Sequence, residues 1–131
     1  IVRGDVNHIY IGKNTNIQDN SVVHCTYQKF ATHIANDVSV GHLVTIHGCK
    51  IERGCLIGMG AIVMDHAIVN EYCIIAAGAI VLENTVCEAG YLYAGIPARK
   101  IKPLTDQQIA MLNKLPENYK LYSTWFISDP E

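Results

Sequence analysis

The sequence has no uninterrupted apolar run near the roughly 20 residues that a membrane helix needs, which excludes a helical membrane span. It has no excess of charge of one sign either. Lys and Arg number 10 against 12 Asp and Glu, a formal net charge of −2. No broad basic surface for a phosphate backbone follows from that balance, so nucleic acid is an unexpected partner. The five cysteines, Cys25, Cys49, Cys55, Cys73 and Cys87, are odd in number and form no C-x-x-C pair. That argues against a disulfide framework, and a reducing compartment, the cytoplasm, is the expected location. Charged residues make up 17% and apolar residues half of the 131 positions, as in a folded single domain.

What the sequence does have is a period of six. Aliphatic residues recur at Ile11, Ile17 and Val23, then at Ile34, Val40 and Ile46. A second run follows at Ile51, Ile57, Val63, Val69, Ile75 and Val81, and Cys87 and Tyr93 continue it. An amphipathic helix repeats at 3.6 residues and a free strand at two, so neither explains the pattern. Four residues after each aliphatic stands a small or β-branched side chain: Thr15, Ser21, Val38, Val44, Cys55, Ala61, Ala67, Cys73, Ala79 and Thr85. Three residues after it, Asn and Gly dominate, as at Asn14, Asn20, Gly54, Gly60, Gly78, Asn84 and Gly90. Those residues tolerate positive φ, which a sharp corner between short strands demands. The pattern predicts a left-handed parallel β-helix of hexapeptide repeats, with three strands to a triangular coil and about five coils. Cys55 and Cys73 fall in the small column and read as packing residues.

The period breaks twice. Val23 to Ile34 is 11 residues, across Tyr27-Gln28-Lys29-Phe30, and Ile46 to Ile51 is five. Irregular repeats mark functional loops. If the longer step counts as two repeats, Val23 and Val40 share a wall one coil apart, which brings His24 near His42.

The expected boundaries are a β-helix over 1–102, opening within a repeat at Ile1, and a helical segment over 103–131 that packs on it. The array itself ends near Pro97. Thr105-Asp106-Gln107-Gln108 reads as a T-x-x-Q capping box. Ile109, Leu112 and Leu115 fit one helical face. Pro116 is expected to interrupt this helix, with a second running from about Glu117 to Phe126. Tyr119, Tyr122 and Trp125 would then cover an apolar wall.

Six histidines occur. His8, His33 and His66 read as structural, His66 because a polar residue is ordinary in the corner column. His24, His42 and His47 stand beside the two breaks. Three imidazoles with an open fourth position are a zinc catalytic arrangement, in which the pKa of bound water falls to about 7. Spacing alone leaves a second reading open, that of three separate surface or interface histidines.

The segments Arg3-Gly4-Asp5, Asn16-Ile17-Gln18-Asp19, Val23-His24, Val40-Gly41-His42 and Ile46-His47-Gly48 resemble the γ-class carbonic anhydrases. Gly58-Met59-Gly60-Ala61 and the run from Gly90 to Ala98 resemble their bacterial branch. The resemblance implies a homotrimer with metal sites at subunit interfaces, His24 and His47 coming from one chain and His42 from its neighbour. It implies Zn2+, with Fe2+ or Co2+ accepted by the same three donors, and reversible hydration of CO2 to bicarbonate. Gln18 and Asn16 match polar residues near the metal-bound water, and Tyr119 matches a tyrosine that reaches the site in some relatives. Arg3, Asp5 and Asp19 match residues that join subunits. The chain departs from the archetype at Tyr27 and Val6, where glutamates associated with proton transfer stand, and it lacks the long acidic loop. Two other functions fit the same repeat: a CoA-dependent acyltransferase with a single basic histidine, His24, and a metal-containing trimeric scaffold without activity.

Overall fold

The computed structural model describes residues 1–127. In chain order the strands are β1 (Ile9–Ile11), β2 (Asn16–Ile17), β3 (Val22–His24), β4 (Thr32–Ile34), β5 (Ser39–Val40), β6 (Thr45–His47) and β7 (Lys50–Ile51). They continue as β8 (Leu56–Ile57), β9 (Ile62–Val63), β10 (Ile68–Val69), β11 (Ile74–Ile75), β12 (Ile80–Val81), β13 (Val86–Cys87) and β14 (Tyr91–Ala94). Every third strand pairs in parallel, which makes three walls. Wall 1 is β1-β4-β7-β10-β13, wall 2 is β2-β5-β8-β11-β14, and wall 3 is β3-β6-β9-β12. Val2 bridges Val23 at the open edge of wall 3. The chain is a left-handed parallel β-helix of about five coils. Its left-handed crossover is the exception to the rule for parallel strands.

The six-residue column is the core. Val23, Ile34, Val40, Ile46, Ile51, Ile57, Val63, Val69, Ile75 and Val81 are fully buried. Ser21, Val38, Val44, Cys55, Ala61, Ala67, Cys73 and Ala79 fill the narrow space between them. The corners are more uniform than composition suggests. Positive φ occurs at Asn14, Asn20, Gly54, Gly60, Gly78, Asn84 and Gly90, and equally at Asp37, Leu43, His66 and Tyr72. Coil stacking therefore imposes the left-handed conformation even on side chains that resist it.

Register across the breaks differs from the expected one. Val23 pairs with Ile46, whereas Val40 lies between Ile17 and Ile57 on wall 2. The 11-residue step is a single corner that carries a loop. Thr26 and Phe30 close this loop through a 3.0 Å backbone bond, with Gln28 at φ 53°. The five-residue step is likewise one corner, tightened by Gly48 at φ 59°. His24 is therefore the neighbour of His47 and not of His42.

After the last coil, β15 (Arg99–Pro103) returns antiparallel to β14 and extends wall 2, an element that the six-residue period does not foresee. Helix α1 (Asp106–Ile127) follows. Its capping box is formed: Gln108 N donates to Thr105 Oγ1 at 3.2 Å, and Thr105 N donates to Gln108 Oε1 at 2.9 Å. Leu112 is buried, and Ile109 and Leu115 pack beside it against Leu56, Ile74 and Leu92 of wall 2. Pro116 does not break the helix. It is one of the two buried residues of α1. A proline in a helix interior costs on the order of 3 kcal/mol, and packing on wall 2 offsets that cost. Tyr122 and Trp125 lie tilted against each other with centroids 5.0 Å apart and are exposed, so the expected cover of an apolar wall by these two rings is not seen.

Candidate metal centre

The strands of wall 3 carry the site on their two ends. At the exit end, β3 and β6 are in register, and His24 and His47 are opposite each other. His24 Nδ1 lies 3.1 Å from His47 Nε2. The outer nitrogen of each ring is held by a carboxylate: His24 Nε2 by Asp5 Oδ1 at 2.8 Å, and His47 Nδ1 by Asp65 Oδ1 at 2.6 Å. Arg3 in turn pairs with Asp5. The hydrogen bond from His24, joined by a backbone hydrogen bond within Asp5 and by the Arg3 charge, outweighs desolvation and holds the Asp5 carboxyl below its ordinary pKa of 3.8. Burial pushes Asp65 upward, but hydrogen bonds from Thr26 and His47 outweigh it and leave that carboxyl below 3.8 as well.

These contacts fix the protons. An ionised carboxylate only accepts, so each outer ring nitrogen carries the hydrogen. In a neutral imidazole the other nitrogen is then a bare lone pair. Two lone pairs therefore face each other across 3.1 Å. They repel unless a proton or a metal cation lies between them. Zn–N bonds of about 2.0–2.1 Å in a tetrahedral centre place two nitrogens about 3.3 Å apart. The donor set fits a divalent cation, and carboxylates on the far ring nitrogens are the usual outer support of histidine ligands.

His42 is not part of this pair. It follows β5 on the corner that leads into wall 3, where its Nδ1 lies 3.5 Å from Asp19 Oδ1. His42 and His47 are separated by the Leu43 corner and by the length of β6. Among the described residues of one chain, no three His, Cys, Asp or Glu side chains are grouped to hold a metal ion. Gln18 and Asn16 belong to the same entry corner. Gln18 Nε2 donates to Asn16 Oδ1 at 3.0 Å, and Asn16 Nδ2 donates to Ser39 Oγ at 2.9 Å. Tyr119 of α1 lines a groove with Asn14, Thr15 and Asn16. The structure thus brings Asp5, His24 and His47 together at the exit edge of wall 3, while Asn16, Gln18 and His42 lie on the side from which the chain enters it.

The other histidines lie apart from the His24–His47 pair. Rings of His8, Tyr10 and His33 neighbour one another outside wall 1, with centroid separations of 6.0 and 5.8 Å. His66 stacks on Phe30 at 4.9 Å. All five cysteines are buried and unpaired, and burial raises the Cys49 and Cys87 thiols to about 12. Sequence reasoning missed Asp65. It stands two residues after Val63, in a corner where a polar side chain is unremarkable.

Known proteins share this arrangement of strands and segments. Residues 48–83 match the bacterial transferase hexapeptide family (six repeats). The chain is 40% identical over 124 residues to gamma carbonic anhydrase 1, mitochondrial, of Arabidopsis thaliana, covering 91% of this chain and 45% of that protein. It is 43% identical over 125 residues to protein YrdA of Escherichia coli, covering 91% and 68%. To a probable carbonic anhydrase of Methanocaldococcus jannaschii it is 41% identical over 114 residues, covering 87% and 71%. The crystal structure of a hexapeptide transferase family protein from Anaplasma phagocytophilum superposes with a TM-score of 0.91 at 38% identity, over 95% of this chain and 73% of that one. The chain spans under half the length of the Arabidopsis relative and about two thirds of the microbial ones. It belongs to the γ-class carbonic anhydrase family, in its bacterial hexapeptide-repeat branch.

Proposed function

We propose that three copies of the chain close into a ring in which His24 and His47 of one subunit and His42 of the next hold one divalent cation. Zn2+ is the first choice, and Fe2+ or Co2+ suits the same donors. The site hydrates CO2 reversibly to bicarbonate. The observation that carries this reading is the pair of bare ring nitrogens at 3.1 Å, each backed by a carboxylate. A cation satisfies that pair, and the third donor stands on the opposite edge of the same wall. A contact of entry edge with exit edge is heterologous and closes on itself when the rotation is threefold. The entry edge supports such a contact. Leu43 is 63% and Met59 58% exposed beside His42, and Leu43 holds φ 59°.

The bound cation would supply Lewis acidity, which turns water into a nucleophile near neutral pH. The chain's own residues orient it. Asn16, anchored on Ser39, accepts from the Gln18 amide and so fixes the Gln18 carbonyl oxygen as an acceptor for the attacking water. Tyr119 lines a groove together with Asn16. Hydration releases one proton per turnover. Tyr27 and Val6 stand where the archetype carries glutamates, so proton removal falls to solvent and turnover should rise with the concentration of a small buffer. Acyl transfer would need one basic imidazole, which one carboxylate can orient, and would leave the second imidazole at 3.1 Å without a role.

The test combines elemental analysis of anaerobically purified protein, sedimentation, and stopped-flow CO2 hydration. One cation per chain, three chains per particle and measurable hydration are expected. The interface is tested by mixing His24→Ala protein with His42→Ala protein. Mixed rings contain interfaces with an intact His24 and His47 facing an intact His42, so metal sites should reappear. No recovery after demonstrated subunit exchange would defeat the shared site. A full complement of metal without hydration would leave the scaffold reading in its place.

A further inference from the structure

We propose that Asp65 positions His47 for the cation, and that both breaks in the hexapeptide period exist to build this support. The inference rests on His47 being a metal ligand. Asp65 comes from the regular coil beneath, just after β9, where Val63 and Ala67 are fully buried behind it. One carboxylate oxygen takes His47 Nδ1 at 2.6 Å, and the other takes the Thr26 hydroxyl at 2.5 Å. Thr26 belongs to the 11-residue step. Its own backbone is pinned by Phe30, by Lys29 and by the Asn7 side-chain amide, which donates to the Thr26 carbonyl at 3.0 Å.

Gly48 belongs to the five-residue step. A Cβ there would lie 2.5 Å from Asp65 Oδ1, 3.0 Å from Asp65 Cγ and 3.2 Å from Phe30 Cβ, on a backbone at φ 59°. Only glycine leaves the carboxylate room to reach His47. Thr32 then joins the two breaks. Its hydroxyl donates to the His24 carbonyl and accepts the Gly48 amide at 2.8 Å. That bridge sets the spacing of the two ligand strands. Asp5 supports His24 in a different way, from an exposed segment and shared with Arg3. The rigid half of the support is on His47.

The roles separate by substitution. Asp65→Ala should weaken metal binding about 10–100-fold, the usual cost of losing such an outer partner, as read by competition with a chelator. Asp65→Asn keeps an acceptor for Nδ1–H and should lose less. Thr26→Val removes only the hydroxyl and should lose part of the affinity, while Thr26→Ser restores it. Thr26→Val added to Asp65→Ala should cost nothing further, because Thr26 acts through Asp65. Cobalt-loaded protein provides a readout free of turnover. Its visible absorption should shift in Asp65→Ala and in Thr26→Val, and match wild type in Thr26→Ser. The His47 Nδ1 proton should appear far downfield in the NMR spectrum of wild type and vanish in Asp65→Ala. If Asp65→Ala fails to fold, the Thr26 pair answers the question with the carboxylate in place. Affinity within twofold of wild type in both Asp65→Ala and Thr26→Val would overturn the proposal. Loss of melting temperature alone, with metal affinity of the folded protein unchanged, would overturn it also. Should the His47→Ala protein keep its cation, the ligand assignment itself falls and the support falls with it.

Discussion

Residues 11–50 and residues 51–93 are written in the same repeat, and they behave differently. From Ile51 to Tyr93 the six-residue step never fails, the column is buried throughout, and the outer faces are ordinary. From Ile11 to Lys50 the step fails twice, and there stand His24, His42, His47, Asn16 and Gln18. A perfect repeat presents each side chain in one fixed phase and leaves no room at its corners. Adding residues at one corner and removing one at another supplies a loop hydroxyl and a gap. The regular half supplies what the irregular half needs, a stiff floor, and through Asp65 one carboxylate.

The division can be broken from either side. His47→Ala should lower metal affinity by more than the roughly 10–100-fold cost of an outer partner, while the metal-free protein keeps its urea midpoint. Ile75→Ala acts in the regular half, where the side chain is fully buried. It should cost about 2–5 kcal/mol in urea unfolding and leave the metal content of the folded fraction unchanged. Thr105→Ala removes the capping hydroxyl of α1 and should cost about 1 kcal/mol, without effect on metal affinity.

Acid sharpens the comparison at the site itself. Asp5 and Asp65 are held below 3.8 in the folded chain. Their stabilising contribution is present above that value and is lost as pH falls through the lowered folded values. Metal-free Asp65→Asn protein should therefore show a shallower loss of stability below pH 3.8 than wild type, in urea titrations at stepped pH. The smallest effect is expected at the cysteines. All five are buried, so Ellman's reagent at pH 8 should find essentially no thiol in the folded protein and five after unfolding.

Much of the fold was legible because burial acts on side-chain type. Ile57, Ala61 and Gly60 each announce core, narrow interior and corner. The register across the breaks was not legible. Eleven residues can be two repeats or one corner with a loop, and only the pairing of Val40 with Ile17 and Ile57 decides it. Pro116 was misread because local rules predict a break, and packing of Leu112 and Pro116 on wall 2 overrides them. The sequence drew attention to His24, His42 and His47 through their neighbours, but it set His24 beside His42, whereas the register sets it beside His47. Asp65 was not legible, because its meaning depends on His47, 18 residues away, and on Thr26, 39 away.

The placement of His42 across wall 3 from His24 and His47 has a thermodynamic side. In the proposed ring each chain offers two donors to one cation and one donor to another, so a cation held by all three belongs to two molecules. Its retention then follows mass action in protein as well as in metal. Dilution should loosen the ion, chelation should loosen the ring, and by reciprocity each added equivalent of metal should draw subunits together.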